Sequence, residues 1–346
     1  MKDKNEMRPI FLSLGLGVLA SILFSVDGFG LLFLMVLPAI YVSLALKYGI
    51  YYACAAYLTS LAALWLMHGV LYAMIFGLLM LPPIWVLSYF LRKPFSFQNV
   101  LAVCGSFLAG FALLFAAVYF LTGKDVITAL VDYAHSAFLT AQPGSTAYSY
   151  MVTLGYFDSY LDLPSGLNDP AFIAALNGTT LLNKVEYAQR AISQMQQMLQ
   201  VAMAPGLLTY AMLGGLLSYV VSYGLLRKAK VSIPALPSFS RWTVPPSFRL
   251  AALAMLVLSY VGTELSATPS IIMAMNLVYL FCTMVFLVLG CSVCVYLLNR
   301  ALKDRKVLPV VISIFLVLIA STIVILLGVI ELAFNIRQRI DKNTQQ

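Results

Sequence analysis

Residues 307–334 read VLPVVISIFLVLIASTIVILLGVIELAF, and Glu331 is the single ionisable side chain among them. The hydrocarbon core of a bilayer is about 30 Å thick, so a helix needs about 20 apolar residues to cross it, because lipid offers no partner to an unpaired backbone group. This run is long enough to do so. Working back from it, further apolar stretches approach the same requirement near residues 9–26, 29–47, 49–67, 69–91, 98–122, 204–227, 249–265 and 270–299.

Composition agrees with that reading. Hydrophobic residues make up 62% of the 346 and charged residues only 10%, whereas a soluble domain carries about 25% charged residues. The pattern predicts an all-α, polytopic integral membrane helical bundle of about eight or nine transmembrane segments. The formal charge is +8, but no basic stripe is interleaved with aromatics, so nucleic acid is not an expected partner and the lipid bilayer is. Lys2, Lys4 and Arg8 ahead of the first run resemble a signal sequence. No small-x-small cleavage site follows, which predicts a retained first helix.

Short cytoplasmic loops retain Lys and Arg, so alternate connections can be compared. With the N-terminus cytoplasmic, the inner side receives Lys2, Lys4, Arg8, Lys47, Arg92, Lys93, Arg227, Lys228, Lys230, Arg241, Arg249, Arg300, Lys303, Arg305 and Lys306, which is 15 of 21 basic residues. The expected location is a bacterial inner membrane, spanned several times, with the N-terminus cytoplasmic. Nine crossings would leave Arg337, Arg339 and Lys342 outside, against the rule. One segment therefore does not cross or the rule is broken, and the short run 249–265 and the closely spaced first pair, joined through Asp27-Gly28, are the expected exceptions.

The connection between the fifth and sixth runs divides the chain into N-terminal membrane helices (1–122), an extracytoplasmic helical insertion (123–203) and C-terminal membrane helices (204–346). Lys124, Lys184 and Arg190 against Asp125, Asp132, Asp158, Asp162, Asp169 and Glu186 give the insertion a net charge of −3. Ile127, Leu130, Val131, Ala134 and Phe138 form one stripe of an amphipathic helix over 124–140. Asp169-Pro170 opens a second helix, with Leu182, Val185, Ile192, Met195 and Leu199 at helical spacing up to Pro205-Gly206. The aromatic segment Tyr148–Tyr160 suits a headgroup region.

Proline within a membrane helix removes one backbone bond and frees carbonyls of the preceding turn, a device that can hold ions or polar groups. Pro38 and Pro82-Pro83 occupy such positions and are candidate ligand-binding residues. Ionisable groups in lipid are costly. Asp27, His68 and Glu264 fall at segment ends, whereas Glu331 lies inside the last run and joins the candidates. Cys291-Ser292-Val293-Cys294 has redox spacing but sits in mid-run, which favours packing. The five cysteines and two histidines offer no metal set, and no nucleophile elbow, HExxH pair or phosphate loop is present. No catalytic residue, metal or cofactor is expected, and the chain is not expected to be an enzyme. Gly17-x-x-x-Ser21, Ser106-x-x-x-Gly110 and Gly214-x-x-x-Ser218 permit close helix contact.

Leu37-Pro38 followed by Lys47-Tyr48-Gly49, the loop Trp242-x-x-Pro245, and the ending Gly328-x-x-Glu331 with Arg337 and Arg339 resemble the YybS-like predicted membrane proteins, a domain-of-unknown-function family (2232). The resemblance covers most of the chain and transfers no activity. The N-terminal half is also similar in layout to substrate-binding subunits of energy-coupling-factor transporters, which implies a small-molecule pocket near the outer face in the first six segments and a docked partner on the cytoplasmic side. The expected function is a transporter-like, small-molecule-binding multi-pass membrane protein. The alternative is a non-catalytic scaffold, partnering membrane proteins of an envelope complex through the basic loop from Arg227 to Arg249.

Overall fold

The computed structural model describes residues 3–26, 29–140, 170–266, 268–302 and 308–345. Asp27-Gly28, the aromatic segment Tyr148–Tyr160, Asp169, Lys303, Arg305 and Lys306 lie outside the described residues. Among those described, every regular element is helical: α1 (Asp3–Ser25), α2 (Gly30–Leu34), α3 (Leu37–Tyr48), α4 (Ile50–His68), α5 (Val70–Phe90), α6 (Phe97–Thr122), α7 (Val126–Thr140), α8 (Pro170–Lys228), a 3-10 turn (Phe239–Arg241), α9 (Pro246–Leu265), α10 (Pro269–Ala301), α11 (Leu308–Phe334) and α12 (Ile336–Gln345). Nine helical stretches among them are long and apolar enough to cross a membrane, α2 and α3 together forming the second. The protein is an all-α polytopic bundle.

The chain forms two compact units, residues 1–113 with 205–346, and residues 114–204. In the second unit, α7 begins where the periodicity places it. Asp125 caps it, accepting from the Thr128 N–H at 3.0 Å and the Thr128 hydroxyl at 2.6 Å. Those bonds hold the carboxyl below its ordinary range, because they favour the charged form. Along α8 the boundary expected at Pro205-Gly206 is absent. Pro205 lies inside one continuous helix, and the Thr209 hydroxyl bonds its carbonyl at 2.9 Å.

The larger unit is held by small residues that let backbones approach. A Cβ on Gly17 would fall 2.4 Å from the Ala56 carbonyl, so α1 lies directly on α4. Ser60 of α4 donates to the Gly17 carbonyl at 2.8 Å and accepts the Tyr41 hydroxyl at 2.7 Å, tying α3 to both. Gly110 meets the Leu79 backbone, whereas Gly214 meets the Phe107 ring and its neighbour Gly215 the Cys104 backbone. Single residues with positive φ, Gly49 at +114° and Gly69 at +88°, reverse the chain between α3, α4 and α5, a conformation open to glycine at little cost. The connection after α8 is anchored to the body at its C-terminal part, where Trp242 and Val244 are buried. Trp242 is fully buried, packing on Phe95 and Phe239 at 4.9 and 5.2 Å between ring centroids.

Candidate functional site

Pro38 is the second residue of α3 and is buried. Ahead of it the chain tightens: Met35, Val36 and Ala39 donate to the carbonyls of Leu32, Phe33 and Val36. That three-residue spacing leaves the Leu31 and Met35 carbonyls without helical donors. Tyr210 donates to the Leu31 carbonyl at 2.7 Å, and the Ser218 hydroxyl donates to that of Met35. Pro82 and Pro83 lie inside an unbroken α5 and remove the donors for Leu78 and Leu79. Those two carbonyls face Gly110 of α6, where a Cβ would sit 3.4 and 2.9 Å from them. The carbonyls freed by the prolines thus turn toward α8 and α6.

Beside these breaks, α3, α4 and α5 enclose an apolar groove of about 460 Å³. Tyr41, Ala45 and Tyr57 line it with Leu81 and Ile84, the residues flanking the proline pair, and Trp85. Its depth runs from Ile50, the first residue of α4, to Tyr57, about 11 Å along the helix. Arg92, just past α5, stands at the Ile50 end. It is exposed and has no hydrogen-bond or ion-pair partner among the described residues. Its neighbour Lys93 instead lies 4.1 Å over the Tyr89 ring. An apolar trough ending in a free guanidinium suits a molecule with an apolar chain and an anionic head. Its mouth is at the end of these helices that carries Lys47, Arg92 and Lys93.

Glu331 is placed far from the prolines in sequence and in a different setting. It is 6% exposed and Arg337 is 5% exposed, an ion pair closed at 2.9 Å through Nε. Asn335, at φ +49°, turns the chain between α11 and α12 so that the two side chains meet. The Arg337 backbone N–H also donates to Glu331 at 3.3 Å. Nη1 donates to the Ser240 carbonyl at 2.6 Å and to Ser292 Oγ at 2.9 Å, and Nη2 to the Trp242 carbonyl at 2.9 Å. Ser292 in turn donates to the Phe239 carbonyl at 2.7 Å. A polar cavity of about 260 Å³ adjoins the pair, lined by Arg241, Tyr296 and Asp341 among others. Trp242, Gly328, Glu331 and Arg337, which the sequence groups only as a loose motif, are gathered in one place. The spacing of Cys291-Ser292-Val293-Cys294 favours packing for Ser292, and only its contacts assign it to this cluster. Cys291 and Cys294 are free thiols, and no group of metal-binding side chains occurs among the described residues.

No curated protein and no solved structure matches the chain. A family model does, over residues 16–146 and 174–332, a span that takes in the groove, Trp242, Ser292 and Glu331. The chain belongs to the family described as predicted membrane protein DUF2232.

Proposed function

We propose that this membrane protein is a non-catalytic, transporter-like binding protein for an anionic amphiphile, whose apolar chain lies in the groove between α3, α4 and α5 and whose head meets Arg92. The carrying observation is the 460 Å³ groove with a guanidinium at its mouth that has no partner among the described residues, a volume within the range of about 300–1,000 Å³ usual for small-molecule sites. Pro38 and Pro82-Pro83 support this reading by seating α3 and α5, two of the groove's walls, through the carbonyls they free. The basic face carrying Lys47, Arg92 and Lys93 is cytoplasmic on the same reading, and the membrane is the bacterial inner membrane.

Native mass spectrometry of protein purified in mild detergent tests the proposal. The wild type is expected to retain one anionic amphiphile at a fixed stoichiometry. Cys54→Trp, at the exposed groove cysteine, should lose it by filling the space, and Arg92→Glu should lose the anionic species by repulsion. Lipids of the surrounding annulus are heterogeneous and indifferent to either change. A wild type carrying no specific adduct, or a Cys54→Trp variant carrying the same one, overturns the proposal.

A further inference from the structure

We infer that α11, an apolar run in which Glu331 is the single ionisable side chain, does not cross the bilayer: it begins and ends on the face that carries the connection between α8 and α9. The argument rests on where its two ends are anchored. The frame is α9 and α10, which run antiparallel. Cys282 bonds the Ala252 carbonyl at 3.8 Å, and Gly262 abuts Met275 near the turn that joins them. Pro269 therefore marks the far face, and Ala301 the near one. Ser292 meets the near-face connection through its bonds to the Phe239 and Trp242 carbonyls at 2.7 and 3.2 Å, and Ala301 lies nine residues farther out.

The start of α11 is tied to that near end. Leu308 follows Ala301 by seven residues, a reach of at most about 25 Å. The far end of α10 is about 48 Å from Ala301 along the helix, so Leu308 lies well short of it. The finish is tied to the same face. For α11 to cross, Phe334 would have to lie near Pro269, about 35 Å from Ser292 along α10. Instead Glu331 is bonded to Arg337, and Arg337 to Ser292, Ser240 and Trp242. Leu332 shares a small cavity with Leu289 and Val244, and the Tyr296 hydroxyl bonds Asp341 of α12.

Two further features fit a run that enters and does not traverse. Ala320 breaks the helical geometry inside α11, at φ −138° and ψ 47°. Around that break the side chains are the most open in the helix, Leu318 at 75% and Ile319 at 82%, as suits contact with lipid. At the other end Gly290 and Gly328 permit backbone contact: a Cβ on either would fall 1.8 or 2.0 Å from the opposing carbonyl. Removing α11 from the nine candidate crossings leaves an even number, so both termini share a face. Arg337, Arg339 and Lys342 then join Arg8 and Arg227 on the retained side, which resolves the conflict in the basic-residue count. The odd segment is the last apolar run rather than residues 249–265 or the first pair.

Impermeant maleimide labelling of sealed, oriented vesicles tests this in a Cys54→Ser background, which removes the exposed native thiol. Ser232→Cys marks the near-face connection and Thr268→Cys the α9–α10 turn, both exposed positions, as is Gln338→Cys in α12. Gln338→Cys is expected to label from the same side as Ser232→Cys and from the side opposite to Thr268→Cys. Labelling with Thr268→Cys overturns the inference. A compartment-sensitive reporter fused after Gln346 reads the same side without substitution in α12, and its activity on the Thr268 side overturns the inference equally.

Discussion

Arg337 is the side chain on which the end of the larger unit depends. Burying one ion costs several kcal/mol even after relaxation, and a pair is tolerated only when its remaining donors and acceptors are also met. Here the guanidinium uses Nε for Glu331, Nη1 for Ser240 and Ser292, and Nη2 for Trp242. Replacing it strands Glu331. Arg337→Ala should lower stability by about 3–5 kcal/mol, and Arg337→Lys should recover only part, because a point-like ammonium lacks the planar fork that reaches several acceptors. Adding Glu331→Gln to Arg337→Ala should restore a substantial part of the loss by removing the stranded charge. Denaturant unfolding in detergent, followed by tryptophan fluorescence with Trp242 beside the pair, checks the series; equal stability of Arg337→Ala and wild type would sink it. Glu331 was legible in the sequence because a lone carboxylate in an apolar run needs a reason. Its setting was not, because three of the groups that hold Arg337 are the Ser240 and Trp242 carbonyls and the Ser292 hydroxyl, and no sequence pattern says that a backbone carbonyl or a serine in mid-helix will meet a distant guanidinium.

At the scale of elements, helices pack here through missing side chains. Gly17 and Gly110 were legible as contact points because each is spaced four residues from another small residue, and both are close backbone crossings; Gly214 meets only the Phe107 ring, and the close backbone approach falls one residue on, at Gly215 against Cys104. Gly290 and Gly328 were not legible as a pair, since each lies on a different helix and their meeting depends on how α10 and α11 are aligned. Their crossing is the closest among the described glycines, with the Val324 carbonyl 1.8 Å from a Cβ on Gly290. Gly290→Ala should therefore be destabilising by about 1–3 kcal/mol, since the backbones must separate to admit one methyl group. Gly105→Ala is the matched contrast. That glycine is also within a membrane helix but has nothing within 4 Å of a Cβ, so the change should be neutral or stabilising by up to about 1 kcal/mol through lost backbone freedom in the unfolded chain. Melting temperatures measured in one detergent compare the two, and equal shifts would show that contact at Gly290 is not what limits substitution.

For the molecule as a whole, helix length and bilayer thickness have to be reconciled. α10 has 33 residues, about 50 Å of helix against a hydrocarbon core of about 30 Å. Sequence alone reads this as one long crossing and leaves open which end is in excess, just as the basic-residue count showed that the crossing number conflicted without showing where. Both answers require knowing what the near end of α10 touches. Ser292 is bonded to the connection that buries Trp242, and Asp341 of α12 reaches Tyr296 one turn farther along. The polar end of α10, with Asn299 and Arg300 exposed, therefore stands beyond the level of that connection, and the excess length lies there. Asn299→Cys should react with an impermeant maleimide at a rate comparable to a loop cysteine such as Ser232→Cys. Tyr279→Cys, on an open flank of the same helix about 15 Å from its far end, should remain unlabelled from either side, because it faces hydrocarbon. If Tyr279→Cys labels and Asn299→Cys does not, the bilayer sits at the other end of α10, and the near-face connection with its buried ion pair lies within the membrane instead of at its surface.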